Sequence, residues 1–153
     1  MNYYKVLIKK ERDGAVAKDT VAAFDVWCAD IPFNINMEVK EPTIRDWKDE
    51  DGEDSYTDGG MKFSAYDMKV KWCVKGGKFS SNVKIRTFMD FLSGKDGSGE
   101  KMKMYCELTQ IGRQHIRLKK IEDDAILYRR EDGDIVVWST TLRVEDPVTE
   151  ITL

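Results

Sequence analysis

Between Tyr66 and Val74 apolar and polar positions alternate without a break. Tyr66, Met68, Val70, Trp72 and Val74 fall on one side, and Asp67, Lys69, Lys71 and Cys73 on the other. That period of two predicts a strand with one buried face, ended by Gly76-Gly77. Alternation returns after the glycine-rich turn at 94–99. Met102, Met104, Cys106 and Leu108 are expected inward, with Lys101, Lys103, Tyr105 and Glu107 outward. Gly112 breaks this pattern, and Ile116, Leu118 and Ile121 continue a strand. Ala125–Arg130 and Ile135–Val144 flank Glu131-Asp132-Gly133-Asp134, and Asp-Gly between apolar strands predicts a hairpin. Pro147 ends the last strand and leaves 148–153 as a short tail. At the other end, residues 3–9 predict a first strand, followed by the turn chemistry of Glu11-Arg12-Asp13-Gly14. Ile35, Met37 and Val39 predict a further short one.

One segment changes period. Ile85, Phe88, Met89 and Leu92 stand at i, i+3, i+4 and i+7, a single helical stripe. Ser80, Ser81 and Asn82 offer N-cap oxygens ahead of it, and Gly94 can close it in the left-handed region. A helix over about 81–93 follows. The run from Thr20 to Cys28 is apolar at nearly every position and fits a buried strand or a short helix equally well. Residues 43–60 form a long, polar, acidic connection with Gly52, Gly59 and Gly60, and Trp47 sits in its midst. Long connections in compact domains are functional or mobile.

Together these elements predict one domain over 1–153 of the mainly β (α+β) class. Its architecture is an antiparallel β-sandwich or barrel with one flanking amphipathic helix over a face or an open end. A chain of this length buries enough surface to hold a core without a metal or a disulfide framework. No cofactor is expected.

Composition narrows the function classes. The net charge is -3, from 28 acidic and 25 basic residues, so no basic excess points to nucleic acid or to an anionic membrane. Lys69, Lys71, Lys75 and Lys78 interleave with Tyr66 and Trp72, as in nucleic-acid grooves. On a regular strand, however, the lysines and the aromatics point to opposite faces, so the amphipathic strand is the better reading. Cys28, Cys73 and Cys106 are odd in number and carry no Cys-x-x-Cys spacing, which favours buried thiols over disulfides or a zinc site. Neither a signal peptide nor a membrane-length apolar run is present, and the expected location is cytoplasmic at synthesis.

Catalytic signals are weak. His115 is the one histidine, expected to face solvent at the start of a strand. To serve as a general base it would need Glu122, Asp123 or Asp124 to meet it across a cleft. Ser93-Gly94-Lys95-Asp96-Gly97-Ser98-Gly99 follows a helix instead of feeding one, which excludes P-loop geometry. In the acidic window Asp49, Asp51 and Gly52 match calcium-loop positions, but Trp47 and Asp58 stand where an EF-hand needs ligands. A solvated acidic loop is preferred to a cation site.

The stretch Arg45-Asp46-Trp47-Lys48-Asp49-Glu50-Asp51-Gly52-Glu53-Asp54-Ser55-Tyr56 resembles tail proteins of bacteriophages and prophages of gut Bacteroides-type bacteria. It is also similar to the early part of distal tail (baseplate hub) proteins. Tyr105 to Arg117, with Ile111-Gly112-Arg113-Gln114, and the closing Arg143-Val144-Glu145-Asp146-Pro147-Val148 extend the resemblance over roughly 45–150. It implies a tail-tube-like fold and a non-enzymatic protein that forms six-fold rings around a DNA channel. Its partners would be copies of itself, as a homo-oligomer up to a hexamer, and other tail proteins in the virion tail. The second, carbohydrate-binding-like domain of larger distal tail proteins is not expected here, so the resemblance implies a minimal ring protein or another small tail component. A net-negative protein would avoid holding DNA that passes through a lumen. Trp47, Asp49, Asp51, Gly52 and Tyr56 are the expected interface residues, with Trp47 as anchor. The alternative is an intracellular β-domain that binds a protein or a small ligand, and an enzyme comes third.

Overall fold

A computed structural model describes residues 4–31, 38–76, 80–130 and 133–153. The chain is mostly β, with a curled antiparallel sheet that forms a half-barrel and two helices. Its elements are β1 (Val6–Lys10), β2 (Lys18–Asp19), α1 (Thr20–Phe24), β3 (Val26–Asp30), β4 (Thr43–Arg45), β5 (Asp54–Tyr56), β6 (Tyr66–Gly76), α2 (Ser81–Ser93), β7 (Met102–Cys106), β8 (Ile111–Ile121), β9 (Ile126–Arg130) and β10 (Gly133–Val144). The main sheet runs β2-β1-β7-β8-β10-β6-β3, with β9 also paired to β10. The expected alternation of β6 appears as a buried row of Tyr66, Met68, Val70, Trp72 and Val74. Its full length pairs with β10, from Tyr66 opposite Val144 to Gly76 opposite Asp134.

The core lies on the concave face of this sheet, and α2 fills it. α2 packs against β3, β6, β8 and β10. Phe88 and Leu92 of the expected stripe are fully buried, Ile85 and Met89 are partly so, and Phe91 joins them. Aromatic rings make the centre. Phe88 lies 4.8 Å from Trp72 at 73° and 6.4 Å from Trp138 at 75°, edge-to-face pairings that aromatic quadrupoles favour. The Trp72 indole N–H donates to Thr140 Oγ1 at 2.9 Å, so its polar edge is satisfied inside the core. Gly94 closes α2 at φ 80° as its sequence position predicts, and Gly99 passes too close there for a side chain.

Several expectations change. The ambiguous run from Thr20 is helix and then strand: α1 is capped by Asp19, ends at Asp25 in the left-handed region (φ 55°), and gives way to β3. The described residues therefore hold two helices, α1 being too short to show a periodic stripe. Leu108 is exposed, because β7 stops at Cys106 and a turn follows in which Gln110 takes φ 57°. Gly112 does not break the sheet; it lies inside β8, where the C-terminal segment crosses it. The Ile151 N–H donates to the Gly112 carbonyl at 3.4 Å, and any Cβ at Gly112 would collide with the Ile151 carbonyl oxygen. The strand expected at Ile35, Met37 and Val39 falls largely on 32–37, outside the described residues, although Val39 bridges Phe63. The turn residues Glu131 and Asp132 also lie outside them, but β9 and β10 pair as a hairpin should.

Candidate functional site

The segment expected as a loop, 43–60, is a two-stranded arm. Thr43, Ile44 and Arg45 pair with Tyr56, Ser55 and Asp54. The ribbon continues toward the main sheet: Lys40 N–H donates to Lys62 O and Ser64 N–H to Glu38 O, both at 2.8 Å. β4 and β5 form a sheet of their own, separate from the main one. Every residue from 45 to 60 is exposed. Backbone pairing holds the two strands of the arm together, but almost no apolar surface is buried along it. Such a ribbon is marginal in water without a further surface to pack against.

The five expected interface residues all lie on this arm. Trp47 is 50% exposed at its tip, with the Arg45 guanidinium 5.5 Å from the ring centroid and a turn closed by the Glu50 N–H on the Trp47 carbonyl at 3.2 Å. Asp49, Asp51 and Gly52 complete the tip, Gly52 at φ 80°. Tyr56 sits on β5, 68% exposed, and its hydroxyl donates to Asp58 Oδ2 at 3.1 Å. Between Arg45 and Asp58 the arm carries seven carboxylates against Arg45 and Lys48. Among the described residues no group of three or more His, Cys, Asp and Glu side chains is placed to hold a metal ion.

His115 lies within β8 in left-handed geometry (φ 56°), not at a strand start. Such strain in a non-glycine residue persists when its surroundings over-determine it. Here Glu11 grips both ends: the His115 N–H donates to one carboxylate oxygen at 2.7 Å, and the ring Nδ1 meets the other at 2.8 Å. Two of the acids named as its possible partners are engaged elsewhere. Glu122 accepts from the Thr141 hydroxyl at 2.6 Å, and Asp124 from the Ser139 N–H at 2.9 Å. Beside His115 an open hollow of about 600 Å³ is lined by Lys9, Lys10, Arg12 and Lys103, with Glu11 and Asp13.

Lys10 is buried in phase with Val6 and Ile8 on the inward face of β1, a position where a lysine is unusual. Its ammonium donates to the carbonyls of Phe91 and Gly99, the latter at 2.7 Å, and lies 4.4 Å from the Phe91 ring centroid. Burial pushes its pKa down to about 8; the Asp96 carboxylate opposes this and the Lys18 charge adds to it. Lys10 thus ties β1 to the end of α2. All three cysteines are free and buried, as expected.

One further surface is not marked by simple alternation. In the register of β3, β6, β10 and β9, Trp27 faces Cys73, Cys73 faces Val137, and Val137 faces Ile126. Directly opposed residues in antiparallel strands share a face. Since Val26, Val74 and Val136 point into the core, this row lies on the convex side. The signal was present in the loss of alternation at Ile126-Leu127-Tyr128 and Ile135-Val136-Val137, where both faces are apolar.

Among the described residues no helix is long and apolar enough to cross a membrane. No protein-family model matches the chain, and no curated protein matches it.

Proposed function

We propose that this chain is a non-enzymatic assembly component that docks to neighbouring copies through the 38–64 arm. The observation that carries this reading is the arm itself: a ribbon paired to itself, exposed throughout 45–60, with Trp47 and Tyr56 held out into solvent. Large aromatics that become buried at the centre of a contact supply much of the energy of protein interfaces. The resemblance of 45–56 to phage and prophage tail proteins adds the setting, a ring or a docked subunit in a tail, and the curled β fold is compatible with it. On this reading Trp47→Ala weakens self-association by at least tenfold, about 1.4 kcal/mol or more, while leaving thermal stability unchanged. Unchanged association would remove the arm from the account.

The hollow beside His115 favours a second reading, a β-domain that binds a small anion on Lys9, Arg12 and Lys103. Added inorganic phosphate would then raise the melting temperature, and Lys103→Glu would abolish the rise. Absence of any phosphate effect would dismiss it.

A further inference from the structure

The convex side of the half-barrel carries an apolar patch. Its first row is Trp27, Cys73, Val137 and Ile126, and its second adds Ile135 and Tyr128 beside Lys75. Trp27 is 38% exposed and Ile126 and Tyr128 are each 52% exposed, while Val137 and Ile135 between them are half-buried and Cys73 forms the buried floor of the row at 8%. Contiguous apolar surface bordered by charge marks an interaction site far more often than scattered exposed side chains do. The border is basic on β6: Lys71 and Lys75 alternate with Cys73 on the same face, and both are exposed. Asp30 is the acid set opposite Lys71 in register. Among the described residues β9 pairs with β10 alone, so the backbone donors and acceptors of its outer edge flank the patch as well.

We infer that the arm of one copy docks on this Trp27–Cys73–Val137–Ile126 patch of a second copy, head to tail. The inference rests on the assembly reading above and names its second surface. Three features select the occupant. The arm tip is strongly acidic and the patch is bordered by Lys71 and Lys75, so the two attract. The tip offers Trp47, a flat aromatic suited to an open apolar sheet face. Finally, arm and patch are different surfaces of one chain: the arm re-enters at the start of β6, and Cys73 lies seven residues further along that strand, roughly 23 Å away. A contact between two different surfaces of the same chain is heterologous, and it closes into a ring or extends as a filament.

The test is a charge exchange. Asp49→Lys/Asp51→Lys reverses the arm tip, and Lys71→Glu/Lys75→Glu reverses the patch border. Each double variant alone should self-associate about tenfold or more weakly than the parent, because like charges then face each other. Mixed in equal amounts, they should recover parental association, since each arm meets a patch of opposite sign. A photo-crosslinker in place of Tyr56, with one copy isotopically labelled, should link labelled and unlabelled chains through β6 or β9 peptides. Association without recovery on mixing, or crosslinks to another surface, overturns the docking assignment and leaves self-assembly standing. A monomer at every concentration, with no inter-chain crosslink, overturns both. Equal association by all variants overturns the docking assignment alone.

Discussion

Tyr4 and Cys28 exchange both backbone hydrogen bonds. The Tyr4 N–H donates to the Cys28 carbonyl at 3.0 Å, and the Cys28 N–H returns one to the Tyr4 carbonyl at 2.7 Å. This single bridge joins the approach to β1 with β3, the terminal strand at the other end of the sheet, so the half-barrel is closed at one point. Burial drives the Cys28 thiol pKa up to about 12, with Tyr4 donating to the thiolate form as a smaller opposing effect. Tyr4→Ala should lower stability by about 1–2 kcal/mol and raise the alkylation rate of Cys28, read by mass spectrometry. Tyr4→Pro, which also deletes the N–H, should exceed it. Unchanged alkylation in both variants would show that the bridge does not guard the core.

Lys10 should give the protein a distinct alkaline response. Its folded pKa of about 8 lies below the ordinary 10.5. Between those values the unfolded chain therefore holds more protons, and stability rises with pH. Below pH 8 both states are charged and the contribution is flat. Cys28, raised from 9.0 to about 12, acts in the opposite sense above pH 9, so the wild-type curve alone is ambiguous. The difference between wild type and Lys10→Met isolates the lysine. That difference should move in favour of wild type from pH 8 to 10.5, by up to about 3 kcal/mol. Parallel denaturation curves across this range would contradict it.

Phe88 and Trp47 should separate fold from interface. Phe88→Ala removes a fully buried ring that contacts Trp72, Trp138 and Phe24, and should cost about 3–5 kcal/mol in denaturant unfolding. Trp47→Ala should change unfolding by less than about 0.5 kcal/mol, because the ring touches no core. Comparable losses would mean that the arm belongs to the folding unit.

Gly112→Ala should release the C-terminal segment. The new methyl collides with the Ile151 carbonyl, and the two backbones must part. A loss of about 1–3 kcal/mol is expected, together with faster proteolysis after Asp146. Asp146 anchors that turn: burial alone would raise its pKa, but hydrogen bonds from Gln114 and from the N–H groups of Thr149 and Val148 outweigh it and hold the carboxyl well below the usual range. Unaltered proteolysis would show that the crossing is not tight.

The parts of this fold legible in the sequence are those with a single wet face. β6 and α2 announce themselves because Trp72 and Phe88 recur in phase with other core residues while their neighbours are polar. α1 and β3 merge in the sequence because Val21 to Trp27 is apolar except at Asp25, and the break depends on that one residue adopting a left-handed conformation, which its period does not signal. The Tyr4–Cys28 closure joins residues far apart in the chain and follows from the curvature of the whole sheet. The arm was visible as an acidic segment with a misplaced Trp47, but not as paired strands, since Thr43–Arg45 and Asp54–Tyr56 alternate nothing that a core would select. The convex patch was hidden because Cys73 stands among lysines, and its apolar neighbours come from three other strands.

The native mass of the purified protein, measured by light scattering over a wide concentration series, bears most directly on assembly through the arm. The account predicts species at multiples of the 17.7 kDa protomer that grow with concentration, dissociate as salt rises, and need about tenfold or more protein to form in Trp47→Ala. A mass fixed at 17.7 kDa at every concentration and salt, in wild type and variant alike, would contradict it.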